Sequence, residues 1–330
     1  MRTSTLSRSV SVILPVRNAC AFLARAVVSA LEQPEVAEVI VVDDGSTDGT
    51  KDEARRLAEG AEGRVRVLTR PVEGPHGAGL ARNDGICAAT CDWIAFLDAD
   101  DYWLPGRFSR DAEVLAGDSM LDGVYDALGI DLSQRESGWW RASGRYCGLV
   151  TFRRRIPPEH LFERMNPIGI DGAFSTDAVL VHRRIFEKTG CMFGDLSAGE
   201  DTVLWLQMAV AGRLAPGRLD RAVAVRGVHG GNSVRRTADA REVQAAVLAA
   251  FDQWAEGHPL TERQRRARCL ADLHLSRDWS GVCRIFREVP GIWRSLETWR
   301  HLLRWCCVRQ FPEDPVIPGF FPGRRRRRHP

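Results

Sequence analysis

The first residues whose types and spacing could do chemistry are the acids Asp98, Asp100 and Asp101, which follow the apolar run Trp93–Leu97. The run shows no alternation of polar and apolar residues, as expected of a strand covered on both faces. Its carboxyl end is where open α/β sheets bind ligands. Neighbouring acids repel one another unless a cation or hydrogen-bond donors neutralise them. The Asp-x-Asp pair therefore predicts a site for a divalent cation bound together with substrate phosphates, and we favour this over an acidic loop that caps the next helix.

A second acidic motif, Asp43-Asp44-Gly45-Ser46, follows the apolar run Val39–Val42. An acid at a strand end can accept hydrogen bonds from a ribose or a base, as in dinucleotide folds. An Asx turn that caps the following helix accounts for the same residues equally well. Both interpretations stay open at the level of the sequence.

Three further segments carry candidate groups. Arg82 can pair with an acid of the centre or approach a nucleotide, although a surface arginine on a helix is the alternative. Glu200 and Asp201 open an apolar helix, where an acid caps the helix dipole and where a general base would be held on a fixed element. His229 precedes two glycines and could contact a metal ion or a pyrophosphate, or make a local hydrogen bond.

The elements that must position these groups alternate along the first hundred residues. Strands are predicted at Ser11–Val16, Val39–Val42, Val65–Leu68 and Trp93–Leu97, with helices between them at Ala19–Leu31, up to Leu57 and at Ala78–Ala89. This alternation predicts parallel βαβ units. Beyond Tyr102 we expect strands at Gly123–Ile130, Tyr146–Phe152, Ser175–Val181 and Ala222–Val228, and helices at Arg183–Thr189 and Glu200–Ala211.

The chain changes character near residue 235. From Ala238 onward, helical periodicity predicts helices through Trp254 and at Leu260–Leu275, Val282–Glu288 and Ile292–Cys307. Residues 261–330 hold 16 Lys+Arg against 7 Asp+Glu, whereas the whole chain has a net charge of only +3. We predict a catalytic domain over residues 9–235 and a basic helical extension over residues 236–330, with the arginine run Arg324–Arg328 in its tail.

The composition narrows the class of protein and its expected cellular location. The 330 residues are 44% hydrophobic and 27% charged, which is ordinary for a soluble globular protein. The nine cysteines show neither a CxxC pair nor zinc spacing, so reduced thiols are the simplest interpretation. The N-terminal residues have no apolar core of signal-peptide length, and no run of about 18 apolar residues predicts a transmembrane helix. We therefore expect a cytoplasmic protein.

Taken together, the motifs resemble the family-2 glycosyltransferases with the GT-A fold. The resemblance rests on the order and spacing of Ser11–Asn18, Val41–Thr50, Ala81–Ile86, Phe96–Asp101, Gly190–Phe193 and Gly199–Trp205. It implies an α/β protein with a Rossmann-like, mostly parallel sheet flanked by helices, to which the C-terminal helical extension is added. One departure is Gln207, because this family often has an arginine at that place in a Leu-Trp-x-Arg run.

The resemblance also implies an activity and a set of site residues. The activity is an inverting transfer from a nucleotide-diphosphate sugar, most commonly a UDP-sugar, to a hydroxyl acceptor in polysaccharide, lipopolysaccharide or glycoconjugate biosynthesis. Asp201 would be the general base, and Glu200 would orient or bind the acceptor. The cofactor would be Mg²⁺ or Mn²⁺, with the metal-site residues Asp98, Asp100 and His229. The nucleotide sugar would contact Pro15, Val16, Arg17, Asp43, Asp44, Arg82, Asp98 and Ala99.

Other function classes and locations stay as alternatives. A non-catalytic nucleotide-sugar-binding or scaffold protein of a membrane-associated glycan assembly complex is one, although the presence of Asp98, Asp100 and Asp201 argues against it. A nucleic-acid-binding protein driven by the arginine tail lacks a recognition motif. The helix predicted at Ile292–Cys307 could pack on the catalytic domain or rest on an anionic membrane surface. In the second case, residues 291–330 would make peripheral contact with the inner face of the membrane.

Overall fold

Strands and helices alternate in the first hundred residues, as the sequence predicts. The computed structural model describes residues 6, 8–71, 73, 77–131, 148–190, 193–194, 196, 198–229 and 240–275. The strands are β1 (Val10–Val16), β2 (Val36–Asp43), β3 (Val65–Thr69), β4 (Trp93–Phe96), β5 (Tyr102–Trp103), β6 (Gly123–Tyr125), β7 (Ala127–Ile130), β8 (Val179–His182), β9 (Leu214–Pro216) and β10 (Ala222–Arg226). The helices are α1 (Cys20–Leu31), α2 (Thr50–Glu59), α3 (Ala78–Ala88), α4 (Ser109–Gly117), α5 (Leu161–Arg164), α6 (Arg184–Thr189), α7 (Glu200–Ala211), α8 (Ala240–Ala255) and α9 (Glu262–Leu275), with short 3-10 turns at Pro158–His160 and Thr176–Ala178.

A mixed, mostly parallel sheet forms the frame, in the order β3-β2-β1-β4-β8-β6-β9. The first four strands in this order are parallel, and Val12 of β1 lies between Val39 of β2 and Ala95 of β4. Strand β8 runs antiparallel to both β4 and β6, while β9 is parallel to β6. Because β1, β2 and β4 run in one direction, their carboxyl ends meet at one edge of the sheet. The predicted α/β class and the parallel βαβ units are confirmed.

A small second sheet lies beside the acids that follow β4, in the order β5-β10-β7. Strand β10 pairs antiparallel with β5 and parallel with β7. Strand β5 begins directly after Asp101, and β10 ends three residues before His229. This sheet therefore brings the segment that leads to His229 back to the end of β4.

Three predicted strands need correction. The stretch Gly123–Ile130 is two strands in two different sheets, because buried Asp126 interrupts it and donates its N–H to the carbonyl of Ala178. The strand predicted at Tyr146–Phe152 is wrong over its described part, where only Val150 makes an isolated bridge, to Leu128; residues 146–147 lie outside the described residues. The strand predicted at Ser175–Val181 begins only at Val179, because residues 176–178 form a 3-10 turn.

Apolar side chains on both faces of the sheet are buried, which explains the lack of alternation in the strand sequences. Along β1, Val12 and Leu14 pack on the face that carries α1, whereas Ile13 packs on the opposite face. Helix α3 lies very close to that opposite face. A Cβ at Gly85 would come within 2.4 Å of a methyl carbon of Ile13, so only glycine fits there. This contact fixes α3, which carries Arg82, against the central strand.

The helices after residue 240 share a hydrophobic core with the seven-stranded sheet. Val247, Leu248 and Phe251 of α8 are buried in the same cluster as Leu204 and Trp205 of α7. The boundary predicted near residue 235 stays a prediction. The helices predicted at 282–288 and 292–307 lie outside the described residues. Within the described part of the chain, no helix is long and apolar enough to cross a membrane.

Candidate active site

The acidic corner follows β4 and consists of Asp98, Asp100 and Asp101. The side chains of Asp98 and Asp100 are about one third exposed, at 31% and 28%, whereas that of Asp101 is buried. The backbone N–H of Asp101 donates to the carbonyl of Asp98 at 3.0 Å, which closes a tight turn. This turn presents two carboxylates to solvent and turns the third inward.

A fourth carboxylate, Asp177, completes the corner. It lies on the 3-10 turn before β8, and its Oδ1 accepts the backbone N–H of Asp98 at 2.8 Å. Asp98, Asp101 and Asp177 each place a carboxylate oxygen within 4.8 Å of the others. Sequence reasoning missed Asp177, although an acid inside a predicted buried strand was a signal that could have found it.

Electrostatics at the corner favour a bound cation. Burial raises the pKa of Asp177 to about 6, and the charge of Asp98 acts in the same direction. Burial and the charge of Asp177 raise the pKa of Asp101 well above its ordinary value. These shifts mean that the local positive charge does not fully compensate the carboxylates.

Two arginines supply the positive charge that is present. The Nε of Arg226 lies 4.0 Å from Asp101, and its Nη2 donates to the hydroxyl of Ser175 at 3.3 Å. Burial opposes the charged guanidinium of Arg226, yet Asp101 and Asp177 hold its pKa above the ordinary value. Arg226 was also missed from the sequence, where it is a charged residue in the apolar run predicted as a strand.

Arg82 joins the acidic corner to the start of α7. Its buried guanidinium donates to Asp98 Oδ1 at 2.6 Å and to Glu200 Oε1 at 3.1 Å. Burial opposes its charge, but Asp98 and Glu200 raise its pKa. The guanidinium also lies over the ring of Phe193, 5.1 Å from its centroid. Arg82 is therefore not a surface arginine, and its contact with a nucleotide stays a prediction.

The structure brings His229 and Asp100 together, as the resemblance implies. His229 Nε2 lies 2.9 Å from Asp100 Oδ2, and the imidazole stacks on Phe22 at 4.5 Å between ring centroids. The preceding backbone is pressed onto the corner, because Gly227 donates its N–H to Asp101 at 2.8 Å and a Cβ there would lie 2.3 Å from the Asp100 carbonyl. Whether His229 and Asp100 hold a metal ion stays a prediction.

The residues predicted to bind the nucleoside lie at the ends of β1 and β2. Asp43 is fully buried; its Oδ1 accepts the N–H of Ser46 at 3.2 Å, which is an Asx turn, and its Oδ2 lies 3.8 Å from Lys51 Nζ. Asp44 contacts Arg70 at 2.9 Å and accepts the N–H of Gly77 at 2.8 Å. The Asx turn is therefore observed, whereas contact of Asp43 and Asp44 with a nucleoside stays a prediction.

The remaining residues predicted to contact the nucleotide sugar lie at the same edge of the sheet. Pro15 and Val16 are buried in β1 beside the end of β2, and Arg17 follows them with an exposed side chain. Ala99 is buried inside the turn of the acidic corner. Their contact with a nucleotide sugar stays a prediction, and the contacts of Arg70 with Asp44 and Asp84 were not predicted.

The candidate base lies at the start of α7. Gly199 precedes the helix with a positive φ of 83°, where a side chain would be strained. Glu200 is half-buried, and burial together with the charge of Asp201 raises its pKa. The Oδ1 of Asp201 accepts the N–H of Thr202 at 2.6 Å and its hydroxyl at 3.1 Å. Asp201 thus lies on a fixed element beside Glu200, which Arg82 links to the acidic corner.

The side-chain atoms of the acidic corner are suitable ligands for a divalent cation. They are carboxylate oxygens, the hard ligands that Mg²⁺ and Mn²⁺ take, with an imidazole beside Asp100. Two of the acids are partly open to solvent, so a cation and a phosphate could reach them. Burial raises the pKa of the two inner acids, Asp101 and Asp177, and a nearby cation would favour their charged forms.

Sequence comparison relates the chain to one enzyme family. Residues 11–188 match the family described as Glycosyl transferase family 2. The succinoglycan biosynthesis protein ExoU of Rhizobium meliloti is 30% identical over 274 residues, which are 80% of this chain and 76% of ExoU. Several other relatives, such as the putative teichuronic acid biosynthesis glycosyltransferase TuaG of Bacillus subtilis, are matched over less than half of their own length.

Solved structures share the fold. TarS 1–349 of S. aureus, in complex with UDP-GlcNAc, superposes with a TM-score of 0.61 at 18% identity, covering 90% of this chain and 79% of that one. The mannosyltransferase PcManGT from Pyrobaculum calidifontis, in complex with GDP-Man and Mn²⁺, gives a TM-score of 0.56 at 20% identity, with 92% and 81% coverage. The expected GT-A fold is confirmed by these likenesses.

Proposed function

The chain belongs to glycosyl transferase family 2, and on this premise we propose that it moves a sugar, with inversion, from a nucleotide-diphosphate sugar to a hydroxyl of a glycan or glycolipid acceptor. We take a UDP-sugar as the donor. ExoU is named for succinoglycan biosynthesis, which supports a role in assembling a polysaccharide or a related glycoconjugate.

A single observation carries the proposal. One buried guanidinium, that of Arg82, contacts both Asp98 of the acidic corner and Glu200, the neighbour of Asp201. The group suited to the departing diphosphate and the neighbour of the group suited to the acceptor proton are thereby linked through one side chain. This link supports an in-line displacement, which needs the base and the leaving group close together and on opposite faces of the anomeric carbon.

The residues of the chain have separate tasks in this reaction. Asp98, Asp100 and His229 would hold Mg²⁺ or Mn²⁺, which when bound supplies Lewis-acid stabilisation of the charge on the diphosphate. Asp201 takes the proton from the acceptor hydroxyl as the oxygen attacks. Glu200 accepts from Arg82 with one oxygen and orients the acceptor with the other. Asp43 and Asp44, with Pro15 and Val16 beneath them, bind the nucleoside.

The experiment is a donor screen with a metal control. UDP-glucose, UDP-galactose, UDP-N-acetylglucosamine and GDP-mannose are each tested for release of the nucleoside diphosphate with Mn²⁺, with Mg²⁺ and with chelator, alongside calorimetry with UDP. We expect one donor to turn over only with a divalent cation. Nucleotide affinity that is the same with chelator present would contradict the metal role.

The base assignment has its own test. Asp201→Asn keeps the shape of the side chain and should retain donor binding, but should lower turnover by roughly two to four orders of magnitude because a general base contributes about that much. Binding without turnover in the unaltered protein would instead favour a nucleotide-sugar-binding scaffold. Unchanged turnover in the variant would remove Asp201 from the mechanism.

We also propose a cytoplasmic location with peripheral contact of residues 291–330 with the anionic inner face of a membrane. The sequence supports this through the arginine run Arg324–Arg328 and the excess of basic residues after residue 260. Replacing these five arginines with serine in the full-length chain should reduce sedimentation with phosphatidylglycerol vesicles. Phosphatidylcholine vesicles serve as the neutral control, and equal sedimentation of both proteins would refute the contact.

A further inference from the structure

The candidate base Asp201 is held at both carboxylate oxygens. Its own helix supplies the donors to Oδ1, through the N–H and the hydroxyl of Thr202. The other oxygen, Oδ2, accepts the hydroxyl of Thr176 at 3.4 Å. Thr176 is 4% exposed and lies 25 residues earlier in the chain, on a different element. Among the described residues, the bond to Thr176 thus links the carboxylate of the base to a different element of the fold.

The turn that carries Thr176 is fixed to the acidic corner on each side of it. Before it, the hydroxyl of Ser175 donates to Asp177 Oδ2 at 3.3 Å and accepts from Arg226. After it, Asp177 Oδ1 accepts the N–H of Asp98.

The main chain of the turn is held as well. Trp103 donates its indole N–H to the carbonyl of Asp177 at 2.9 Å, and Asp126 donates its N–H to the carbonyl of Ala178 at 2.8 Å. Thr176 is therefore a short rigid link between the corner and the base. Its position follows that of Asp98 rather than that of α7.

From these contacts we infer that Thr176 is a positioning residue for the reaction: its hydroxyl sets the distance and angle of the Asp201 carboxylate relative to the acidic corner. This inference rests on the proposed role of Asp201 as base. A carboxylate at the start of a helix can rotate about its side-chain bonds, and a hydroxyl donor on a second element removes that freedom. Hydrogen bonds of catalytic groups are often long before substrate binds, so a 3.4 Å bond is consistent with this task.

The physical consequence is specific to the proton-transfer step. The hydroxyl of Thr176 bonds Asp201, whereas the neighbouring Ser175 and Asp177 make the contacts with the acidic corner. Loss of this hydroxyl should therefore affect how often Asp201 is aligned and not how the nucleotide sugar binds. Loss of the hydroxyl should lower kcat and leave KM for the donor unchanged. A merely structural threonine would affect both, or would affect stability alone.

The test uses full-length protein and Mn²⁺-dependent release of nucleoside diphosphate from the fastest donor of the screen above, with water as acceptor. Thr176→Val, which keeps the shape and removes the hydroxyl, should lower kcat about tenfold, with KM changed by less than about twofold. Thr176→Ser restores a hydroxyl and should return kcat to within about twofold. Thr176→Ala gives the same comparison where the valine variant does not fold. The matched control is Thr189→Val, which removes the hydroxyl of another buried threonine that bonds the carbonyl of Ile185.

A double-mutant cycle with Asp201→Asn separates the role of Asp201 as base from the positioning role of Thr176. If Thr176 acts through the base, Thr176→Val should change kcat by less than about twofold once Asp201→Asn is present. Full turnover in Asp201→Asn would overturn the base assignment and this inference with it. A large loss in Asp201→Asn with no loss in Thr176→Val, or an undiminished second loss in the double variant, would overturn the role of Thr176 alone.

Discussion

Two clusters of acids in this chain differ in how well their charge is compensated. At the corner, Asp177 has the N–H of Asp98 and one hydroxyl as donors, and it faces two other carboxylates. Asp122, in contrast, is surrounded by donors from α6 and from the start of β9. It accepts from Arg184 at 2.7 Å, from Lys188 at 2.7 Å on both oxygens, and from the N–H of Arg213 at 2.9 Å.

The difference appears in the direction of the pKa shifts. Burial would raise the pKa of Asp122, but the bonds from Lys188 and Arg184 lower it below the ordinary 3.8. Burial, together with the negative charge of Asp98, raises the pKa of Asp177 to about 6, and the charge of Arg226 and the hydrogen bonds to Asp177 do not offset this rise. Acids that the protein compensates are structural, whereas acids left short of positive charge and partly open to solvent mark a binding site.

A third group shows that a raised pKa is not sufficient. Arg107, Asp111 and Asp126 form a triad with 2.9 Å contacts and no exposed side-chain surface. Burial and the charge of Asp126 raise the pKa of Asp111 as well. No ligand could reach this triad without the surrounding core opening, so its role is to anchor α4 to the strand break at Asp126. Access to solvent is thus the second criterion that singles out the corner.

The largest expected effect comes from replacing Asp98 with asparagine. This change should lower turnover by on the order of 10³-fold and abolish the rise in melting temperature that we expect from Mn²⁺ with UDP, since the proposed metal site would lose one charged ligand. Asp122→Asn is the matched control and should keep full turnover per folded molecule. Retained metal-dependent stabilisation in Asp98→Asn would show that the corner is no more a binding site than Asp122 is.

The second-largest expected effect is a loss of stability when Asp122, the acid with compensated charge, is replaced. Asp122→Asn should lower the free energy of unfolding by about 2 kcal/mol, because two cations and one N–H lose a buried charged acceptor. Urea denaturation measures this change. Asp118→Asn is the control, since Asp118 and its partner Arg213 are both well exposed and their ion pair should contribute little. Equal stability of the two variants would remove the distinction between buried and exposed acids.

The stability contributed by Asp122 should disappear in acid. Its pKa is lowered in the folded protein, so the contribution is present above the unfolded value of 3.8 and is lost as pH falls through the folded value. The difference in unfolding free energy between the unaltered protein and Asp122→Asn should therefore be full at pH 6 and should shrink as the pH is lowered below 3.8. A difference that persisted at the lower pH would mean that shape, not charge, explains the loss.

The smallest expected effect has the opposite sign. Asp177→Asn should raise the free energy of unfolding of the metal-free protein by about 1 kcal/mol at pH 7.5, since a buried charge with few donors is removed. The pKa of Asp177 is raised to about 6, so the gain should be absent below 3.8, grow between 3.8 and about 6, and be full above that pH. Urea denaturation with chelator measures it. A loss of stability at pH 7.5 would show that the Asp177 charge is compensated after all.

Much of this architecture could be predicted from local pattern. The apolar runs before Asp43 and Asp98 predicted two strands of parallel βαβ units, and in the structure both acids lie at the carboxyl ends of parallel strands that flank β1. Helix α7 and its two leading acids were also predicted, because the period of its apolar residues is local information. The predicted strands failed where a polar side chain interrupted them, at Asp126 and at Asp177, since the competing contacts come from distant segments.

The sequence alone therefore determined the family, the order of the first strands and helices, and the candidate acids and base. The tertiary structure decided which of these groups share contacts. Asp98, Thr176 and Asp201 lie 25 or more residues apart, and no periodicity links them, because a hydrogen bond between distant elements depends on how the sheet and helices pack. The same holds for Arg82, which reaches Asp98 and Glu200 only because α3 lies close against both the central strand and the start of α7.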